Sequence, residues 1–302
     1  MDFGAVIVTF NRIDHLRKSI DCYTNQTLKP KRIVVVNNCS TDGTKEFLDE
    51  WLKIDTGVLK EVLHLPENTG GSGGFYYGLK RIQEYEDIEW IWVADDDAYP
   101  ELSAFEKAKF FIEEHKSEIN EIAALCGACG ADGKYSNIQR FRYLKTIMGI
   151  HETPIPQRWY KKQIFDIDMY SFVGTFLKRE NLLKAGLPRK DYFIYQDDLE
   201  HATRMRKTGR IVCTTDIQIT HRDNAAPSTE VSWRDYYASR NIVALYSEHF
   251  GKWSLFWRIV RRRIFALLDF NPTKMKVVNE AIRDGKNGKM GIHPIYKPGW
   301  KG

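Results

Sequence analysis

Ala5-Val6-Ile7-Val8 is an unbroken apolar run, the pattern of a strand buried on both faces. Leu16, Ile20 and Tyr23 follow at helical spacing, and Ile33-Val34-Val35-Val36 restores the strand pattern. A polar turn, Asn37-Asn38-Cys39-Ser40-Thr41-Asp42-Gly43, comes next; in it Ser40 or Thr41 is placed to cap a helix carrying Phe47, Leu48, Trp51 and Leu52. Val58-Leu59 and Val62-Leu63 predict a third strand. A glycine-rich stretch, a helix through Tyr76, Leu79 and Ile82, and the run Ile88–Val93 come after it. This alternation predicts an α/β fold with a parallel sheet and helices on both faces, whose ligands sit beyond the carboxyl ends of the strands. From about 120 to 220 the pattern is mixed, with strand-like runs at Ile122–Leu125, Ile164–Tyr170 and Ile211–Thr215 and helices near 175–185 and 197–207. Beyond 230 it is mostly helical.

Composition narrows the class. Among 302 residues, 43% are hydrophobic and 28% charged, which excludes a disordered or collagen-like chain. Nowhere do about 18 apolar residues run together, so no membrane span is expected. Met1-Asp2-Phe3-Gly4 enters a strand without a basic leader, and five scattered cysteines suit a reducing compartment. A cytoplasmic location is the expectation. The net charge of +5 is unevenly distributed: residues 252–302 hold twelve Lys/Arg and three Asp/Glu, which leaves the rest of the chain net acidic. Cys126-Gly-Ala-Cys129 has no second pair or ligating histidine nearby and is read as two buried thiols.

Three polar clusters carry candidate chemistry. Asp95-Asp96-Asp97 ends an apolar strand, and three adjacent carboxylates repel unless a cation compensates them. Carboxylate oxygens suit Mg²⁺ or Mn²⁺, and alternation along an extended chain would turn Asp95 and Asp97 to one side; the plainer alternative is a solvated acidic turn. Asn68-Thr69-Gly70-Gly71-Ser72-Gly73-Gly74-Phe75 precedes a helix. It fits neither a dinucleotide-binding fingerprint nor a P-loop, but it would let backbone amides approach an anion; a flexible loop is the alternative. Asp197-Asp198-Leu199-Glu200 opens a helix, where acids either complement the dipole or supply a general base.

Thr9-Phe10-Asn11-Arg12, Asn25-Gln26-Thr27, the turn Val36–Thr44 and Asp95-Asp96-Asp97 occur in that order. Together they resemble the nucleotide-sugar half of a family 2 glycosyltransferase with the GT-A fold, a resemblance that covers roughly residues 3–245 and implies a Rossmann-like mixed, mostly parallel sheet flanked by helices, with a C-terminal helical extension. The resemblance implies that Thr9, Asn11, Arg12, Asn38, Asn68, Gly71, Gly73, Asp95 and Asp96 hold the donor, with Thr9 and Asn38 at the uracil and Asp96 at the ribose. Many members have Asp where this chain has Asn38. It further implies that Asp95, Asp97 and His221 bind a divalent cation, Mn²⁺ somewhat before Mg²⁺, with a histidine or basic side chain of the tail as the alternative to His221. Asp197-Asp198-Leu199-Glu200 with Arg204 matches the family's base element, which makes Asp198 the catalytic base and puts Asp197 near sugar hydroxyls. Asn-x-Gly-Gly-Ser-Gly-Gly-Phe resembles galactofuranosyltransferases and their rhamnosyltransferase-like relatives. Trp159, Tyr160, Trp233, Tyr236 and Tyr237 are acceptor-stacking candidates, with core packing as the alternative. Tyr237 with Arg240-Asn241 resembles an element late in the catalytic domain.

The expectation is therefore a catalytic domain over 1–248 and a basic helical extension over 249–302. The activity expected is inverting, metal-dependent transfer of galactofuranose from UDP-galactofuranose to a lipid-linked bacterial surface glycan. A dTDP-rhamnose donor and an inactive nucleotide-sugar-binding scaffold are the rivals; a sugar nucleotidyltransferase would carry a basic pyrophosphorylase loop that Thr9–Ile13 lacks. Trp253, Phe256, Trp257, Val260, Ile264, Leu267 and Leu268 form an apolar helical stripe beside Arg258, Arg261, Arg262 and Arg263. Such a stripe either lies on an anionic membrane, packs on the body, or meets a second subunit. No nucleic-acid recognition motif accompanies it.

Overall fold

A computed structural model of the chain describes residues 1–222 and 230–302. The first half is the alternation expected. Strands β1 (Phe3–Thr9), β2 (Arg32–Asn37), β3 (Leu59–His64) and β4 (Trp90–Asp95) run parallel, separated by helices α1 (Ile13–Thr24), α2 (Thr44–Trp51) and α3 (Gly70–Ile82). The short strand β5 (Tyr99–Pro100) and helix α4 (Ala104–Glu114) lead to β6 (Ile122–Ala131) and β7 (Lys134–Tyr135). A hairpin of β8 (Arg140–Thr146) and β9 (Gly149–Pro154) follows, then β10 (Ile164–Ile167), β11 (Met169–Tyr170), β12 (Thr175–Lys178) and α5 (Arg179–Ala185). Helix α6 (Asp197–Met205), β13 (Arg210–Thr220) and helices α7 (Trp233–His249), α8 (Lys252–Leu268) and α9 (Pro272–Lys286) complete the chain.

The main sheet has the order β10-β13-β6-β12-β4-β1-β2-β3, and β12 enters it antiparallel between β4 and β6. It is thus mostly parallel with antiparallel members, while β11, β8 and β9 form a separate three-stranded sheet. Alternate residues of each strand feed opposite faces. Ala5, Ile7, Ile33, Val35, Trp90 and Trp92 pack with α1, α2 and α4, whereas Val6, Val8, Val34, Val36, Ile91 and Val93 pack with α3.

Two local differences from the sequence expectation have simple causes. Helix α2 starts at Thr44, later than a Ser40 or Thr41 cap would place it, because Asp42 holds the turn. Its carboxylate accepts from the Thr44 amide (3.2 Å) and from the Ile13 amide at the start of α1 (2.9 Å). The glycine-rich stretch lies inside α3 instead of ahead of it. Its glycines serve contact: a Cβ at Gly74 or Gly78 would lie 2.4 Å from Val8 or Val6 of β1.

The division expected after residue 248 falls in the last turn of α7, just ahead of α8. Phe193, Val231, Tyr236 and Tyr237 from one side of it share a cluster with Val277, Ala281 and Tyr296 from the other. All five cysteines are free thiols, with Cys126, Cys129 and Cys213 buried. No helix among the described residues is long and apolar enough to cross a membrane.

Helix α6 also carries buried titratable groups. His201 Nε2 lies 3.1 Å from the Gly186 carbonyl and Nδ1 lies 2.9 Å from the Tyr170 hydroxyl, which fits a neutral ring donating from Nε2 and accepting at Nδ1. Burial, reinforced by Arg204, pushes its pKa down to about 3. Burial works to raise Glu200, but His249 and Arg204 outweigh it and bring the carboxyl to about 2.

Two predictions follow from these contacts. Gly78→Val should lower unfolding free energy by about 1–3 kcal/mol, because the added side chain meets Val6 and Val36. Urea titration measures this. Between about pH 6.5 and 3 the unfolded chain binds a proton that folded His201 refuses, so stability should fall by about 1.4 kcal/mol per pH unit from this group as pH drops. Glu200 adds to the loss from about pH 4.5 downward, as pH falls toward its folded value. His201→Gln should flatten the slope between pH 6.5 and 5; an unchanged slope would exclude His201 as its source.

Candidate active site

The carboxyl ends of β1, β2 and β4 open into a cleft with room for about 290 Å³ of solvent. Thr9, Arg12, Asn38, Asn68, Gly71, Asp95, Asp96 and Trp233 line it, so eight of the expected side chains and glycines meet in one place. Phe193, Arg234 and Pro298 also line it and were not anticipated from the sequence. Pro298 arrives because the chain end returns to the rim. Trp233 N–H donates to the Trp300 carbonyl (3.3 Å), and Gly302 N–H donates to the Val231 carbonyl (3.0 Å).

The three acids do not follow strand alternation. Strand β4 ends at Asp95, and Asp96-Asp97 form a turn, so each carboxylate takes its own direction. Asp96 accepts from Thr9 Oγ1 (2.7 Å) and from Arg12 (3.0 Å); burial nevertheless pushes its carboxyl up to about 7. The second guanidinium nitrogen of Arg12 reaches Asp97 at 2.8 Å. Asp97 also faces His221, whose Nε2 lies 3.6 Å from Asp97 Oδ1. Pairing of β5 with β13 explains that approach. Thr220 is in register with Tyr99, so the residue after β13 lies beside the residues just before β5.

Asp95 differs from its neighbours. It lines the cleft, and among the described residues no side chain donates to it or pairs with it. Burial and then Asp97, Asp96, Asp197 and Asp198 hold its carboxyl well above the ordinary range. A carboxylate facing a cleft amid four others, with Arg12 committed to two of them, is a site whose charge a divalent cation would balance. The donor set of carboxylates and one imidazole therefore fits Mn²⁺ or Mg²⁺ at Asp95 and Asp97 with His221 adjacent. The ligand atoms of these three are not drawn together as tightly as those of Glu200, Glu248 and His249 or of Glu280, Asp284 and His293. Those two groups are closed by their own ion pairs and hydrogen bonds, as where Arg204 and His249 hold Glu200.

The second acidic pair approaches from the other side. Asp197 is buried and Asp198 partly buried at the start of α6, and the Leu199 amide donates to Asp198 (2.7 Å). Burial raises both carboxyls, and the Asp197 charge raises Asp198 further, which favours a group able to take up a proton near neutral pH.

What aims this pair is the loop before it. Phe193, Tyr195 and Gln196 have φ of 67°, 67° and 66°, a region costing about 1–3 kcal/mol for each such residue. The amide of Asn241 on α7 holds the loop by donating to the carbonyls of Tyr192 (3.0 Å), Ile194 (2.7 Å) and Tyr195 (2.9 Å). Arg240 adds a bond to Tyr192 O at 3.1 Å. The Phe193 carbonyl in turn accepts from the Ser72 amide (3.2 Å) and presses on Gly70, where a Cβ would lie 1.9 Å away and φ is +72°. Only glycine fits there. The loop thereby joins the glycine-rich start of α3 to the acids of α6. Arg240-Asn241 was visible in the sequence only as a mark of where the domain ends.

Several expected residues take other places. Asn38 lines the cleft, yet its amide is committed to the loop: Nδ2 donates to Gly70 O (2.9 Å) and Oδ1 accepts from the Thr69 amide (2.9 Å). Asn11, with φ of 53°, accepts from the Thr41 amide (2.7 Å) and ties the β1 and β2 turns together. Gly73 packs against the Thr69 side chain. Trp159 is not brought to the cleft but packs edge-on to Phe165 under Arg142 and Lys162. Tyr237 is fully buried beneath Phe193 and Trp233, and its hydroxyl accepts from the His293 amide (3.0 Å). It supports the cleft wall from behind.

Comparisons with known proteins bear on the family and the fold. The pattern of Glycosyl transferase family 2 matches residues 5–172, from β1 through β11. Galactofuranosyltransferase GlfT1 of Mycobacterium tuberculosis is 36% identical over 95 residues, which cover 32% of this chain. The matched segment spans only 30% of that relative's own length. Among solved structures, Staphylococcus aureus TarS 1-349 in complex with UDP-GlcNAc superposes with a TM-score of 0.60 at 17% identity, covering 94% of this chain and 80% of that one. GalNAc-T7 with UDP, GalNAc and Mn²⁺ gives 0.65 at 14% identity, covering 95% of this chain and 56% of that one. At such identities the structural likeness speaks for the fold, which is GT-A.

The clamp yields a prediction. Asn241→Leu removes the donor to three carbonyls and should destabilise the chain by about 1–3 kcal/mol. Amide hydrogen exchange should quicken over residues 192–197 and stay slow in β1 and β4. Uniform acceleration across both regions would show that Asn241 supports the fold in general and not this loop.

Proposed function

The chain belongs to glycosyl transferase family 2, and from that premise we propose that it is an inverting, metal-dependent hexosyltransferase using a UDP-linked donor. The observation that carries this reading is the convergence of Asp95, Asp96 and Arg12 with the start of α3 in one cleft, opposed by Asp197 and Asp198. The nucleotide diphosphate lies along Thr9, Arg12 and Gly71. Asp95 and Asp97, with His221, hold the divalent cation there. That cation supplies charge stabilisation for the departing diphosphate. The bound Mn²⁺ of GalNAc-T7 supports the same choice of ion.

Asp198 accepts the proton of the acceptor hydroxyl as its oxygen bonds to the anomeric carbon and the carbon–oxygen bond to UDP breaks. Its raised pKa suits that role. Asp197 and Trp233 orient the acceptor sugar. Galactofuranose is the proposed sugar, supported by the Asn68–Phe75 wording and by the similarity to GlfT1. The acceptor is a lipid-linked surface glycan under assembly, reached from the cytoplasmic side of a membrane on which the enzyme rests peripherally.

A screen of nucleotide sugars for Mn²⁺-dependent hydrolysis and binding tests donor and ion together. UDP should outcompete dTDP; the reverse would favour a rhamnosyl donor, and no turnover of any nucleotide sugar would favour a silent binding protein. Asp198→Asn should retain Mn²⁺-dependent UDP affinity by calorimetry and lose transfer by about 10²–10⁴-fold. An active variant overturns the assignment of the base. Asp97→Asn should instead lose the Mn²⁺-dependent part of UDP affinity.

A further inference from the structure

Helix α8 turns two arginines towards the body and leaves its larger apolar stripe outside. The face turned to the body carries Ser254, Arg258 and Ala266, all buried, with Leu255 and Ile259 packed against the core between them and Arg262 half-buried on the same side. Arg258 is only 8% exposed, satisfied by Glu152 of β9 and by the Tyr246 hydroxyl. Arg262 donates to the Ala238 carbonyl at 3.0 Å. The stripe read from the sequence is left outside: Trp253, Phe256, Ile264, Leu267 and Leu268 are all exposed, and Phe265 joins them.

A second element extends this face. The tip of the β8–β9 hairpin carries Leu144, Ile147 and Met148, with Ile147 91% exposed. Trp253 Nε1 donates to the Ile147 carbonyl at 2.8 Å, which fixes the tip beside the helix. Between tip and helix lies an apolar cleft of about 300 Å³, lined by Met148, Ile150, Trp257, Val260, Ile264 and Phe265. Beyond α8, Phe270 stands 90% exposed. An apolar area of this extent, drawn from two elements, marks a surface meant to be covered.

Charge decides by what. Residues 249–268 contain no acid, and neither do residues 139–151. Lys145, Lys252, Arg261 and Arg263 are exposed around the apolar face. In a two-fold dimer through this face both copies would bring the same arginines together, and like charges oppose that contact. An anionic leaflet complements them, while its acyl region accepts the aromatic and aliphatic side chains. We propose that α8 and the β8–β9 tip form one docking surface for an anionic lipid bilayer, with the tip and stripe entering the headgroup–acyl boundary. The inference deepens the lipid-linked-acceptor reading and rests on it for its purpose, although the surface is defined without reference to the cleft.

The test is co-sedimentation of the full chain with vesicles of phosphatidylcholine alone or mixed with phosphatidylglycerol. The wild-type chain should bind the mixed vesicles, and added salt should weaken binding. Ile147→Glu with Phe265→Glu should reduce partitioning by about tenfold or more, since two exposed apolar anchors become charged. Arg261→Gln with Arg263→Gln should bring mixed-vesicle binding towards the phosphatidylcholine level. Mn²⁺-dependent UDP affinity should stay the same in both variants, because none of these residues lines the donor cleft. Equal binding to the two vesicle types by wild-type chain, or full binding by the Ile147→Glu/Phe265→Glu variant, overturns the proposal. So does a wild-type dimer in light scattering that this variant converts to monomer, since a second copy would then cover the face. Vesicle binding without turnover of any nucleotide sugar would strike the enzymatic reading and leave the docking surface standing.

Discussion

Five aspartates meet at the carboxyl edge of the sheet, and the fold is arranged around the repulsion among them. Two come from the turn after β4, one ends β4, and two open α6. Arg12 is the guanidinium that bridges Asp96 and Asp97, and it leaves Asp95 without a cationic partner among the described residues. Burial first, and like charges close by after it, disfavour ionisation of Asp95, Asp96, Asp197 and Asp198, so all four are displaced upward. On the proposed function, such a cleft would gain by binding a cation and an anionic diphosphate together. Burial, and then the charge of Asp197, gives Asp198 an affinity for a proton that an isolated surface aspartate lacks.

Such an arrangement has to be held mechanically, because electrostatics alone would push it apart. The loop from Tyr192 to Gln196 does this at the expense of three left-handed residues, none of them glycine. That strain persists because the surroundings over-determine the loop. Asn241 and Arg240 bind its carbonyls from one side, and Ser72 and Gly70 receive Phe193 from the other. Tyr237, Tyr236 and Tyr296 fill the space behind it, so helices α7 and α9 and the returning chain end act as a buttress for the acids. The C-terminal segment is in this sense part of the site's support, whatever else its outer face does.

The strands of the first half were legible because both-face burial leaves continuous apolar runs, and Thr9, Asp95 and Asp198 were legible because polar residues at strand and helix ends break such runs. The resemblance added His221, whose proximity to Asp97 depends on the two-residue strand β5 pairing with the end of β13, too short an element to leave a pattern. The β8–β9 hairpin was missed for a related reason: its burial grades from buried Arg140 through intermediate positions to an exposed tip, so it lacks clean alternation. Asn38 and Asn11 were recognised as important, but a linear sequence does not say whether an amide faces a ligand or its own loop. Trp159 and Tyr237 show the corresponding ambiguity of aromatic residues, whose size suits a core as well as a sugar.

Helix α8 shows how the same amphipathic pattern admits opposite placements. Periodicity identifies two faces and is silent about which one meets the protein. Here the deciding interaction is a buried ion pair: Glu152 on β9 and the Tyr246 hydroxyl on α7 together claim Arg258. Removing that arginine from water is tolerable only with such partners, and once they are engaged the helix cannot rotate its aromatic stripe inward without breaking them. The polar anchor thus fixes the apolar surface outward. That geometry separates the two halves of the charge asymmetry, with acids concentrated at the cleft where the proposed function puts a cation and a proton transfer, and arginines placed beside exposed aromatic side chains. On the docking proposal, this orientation gives a surface whose apolar and cationic parts match the two layers of a lipid leaflet.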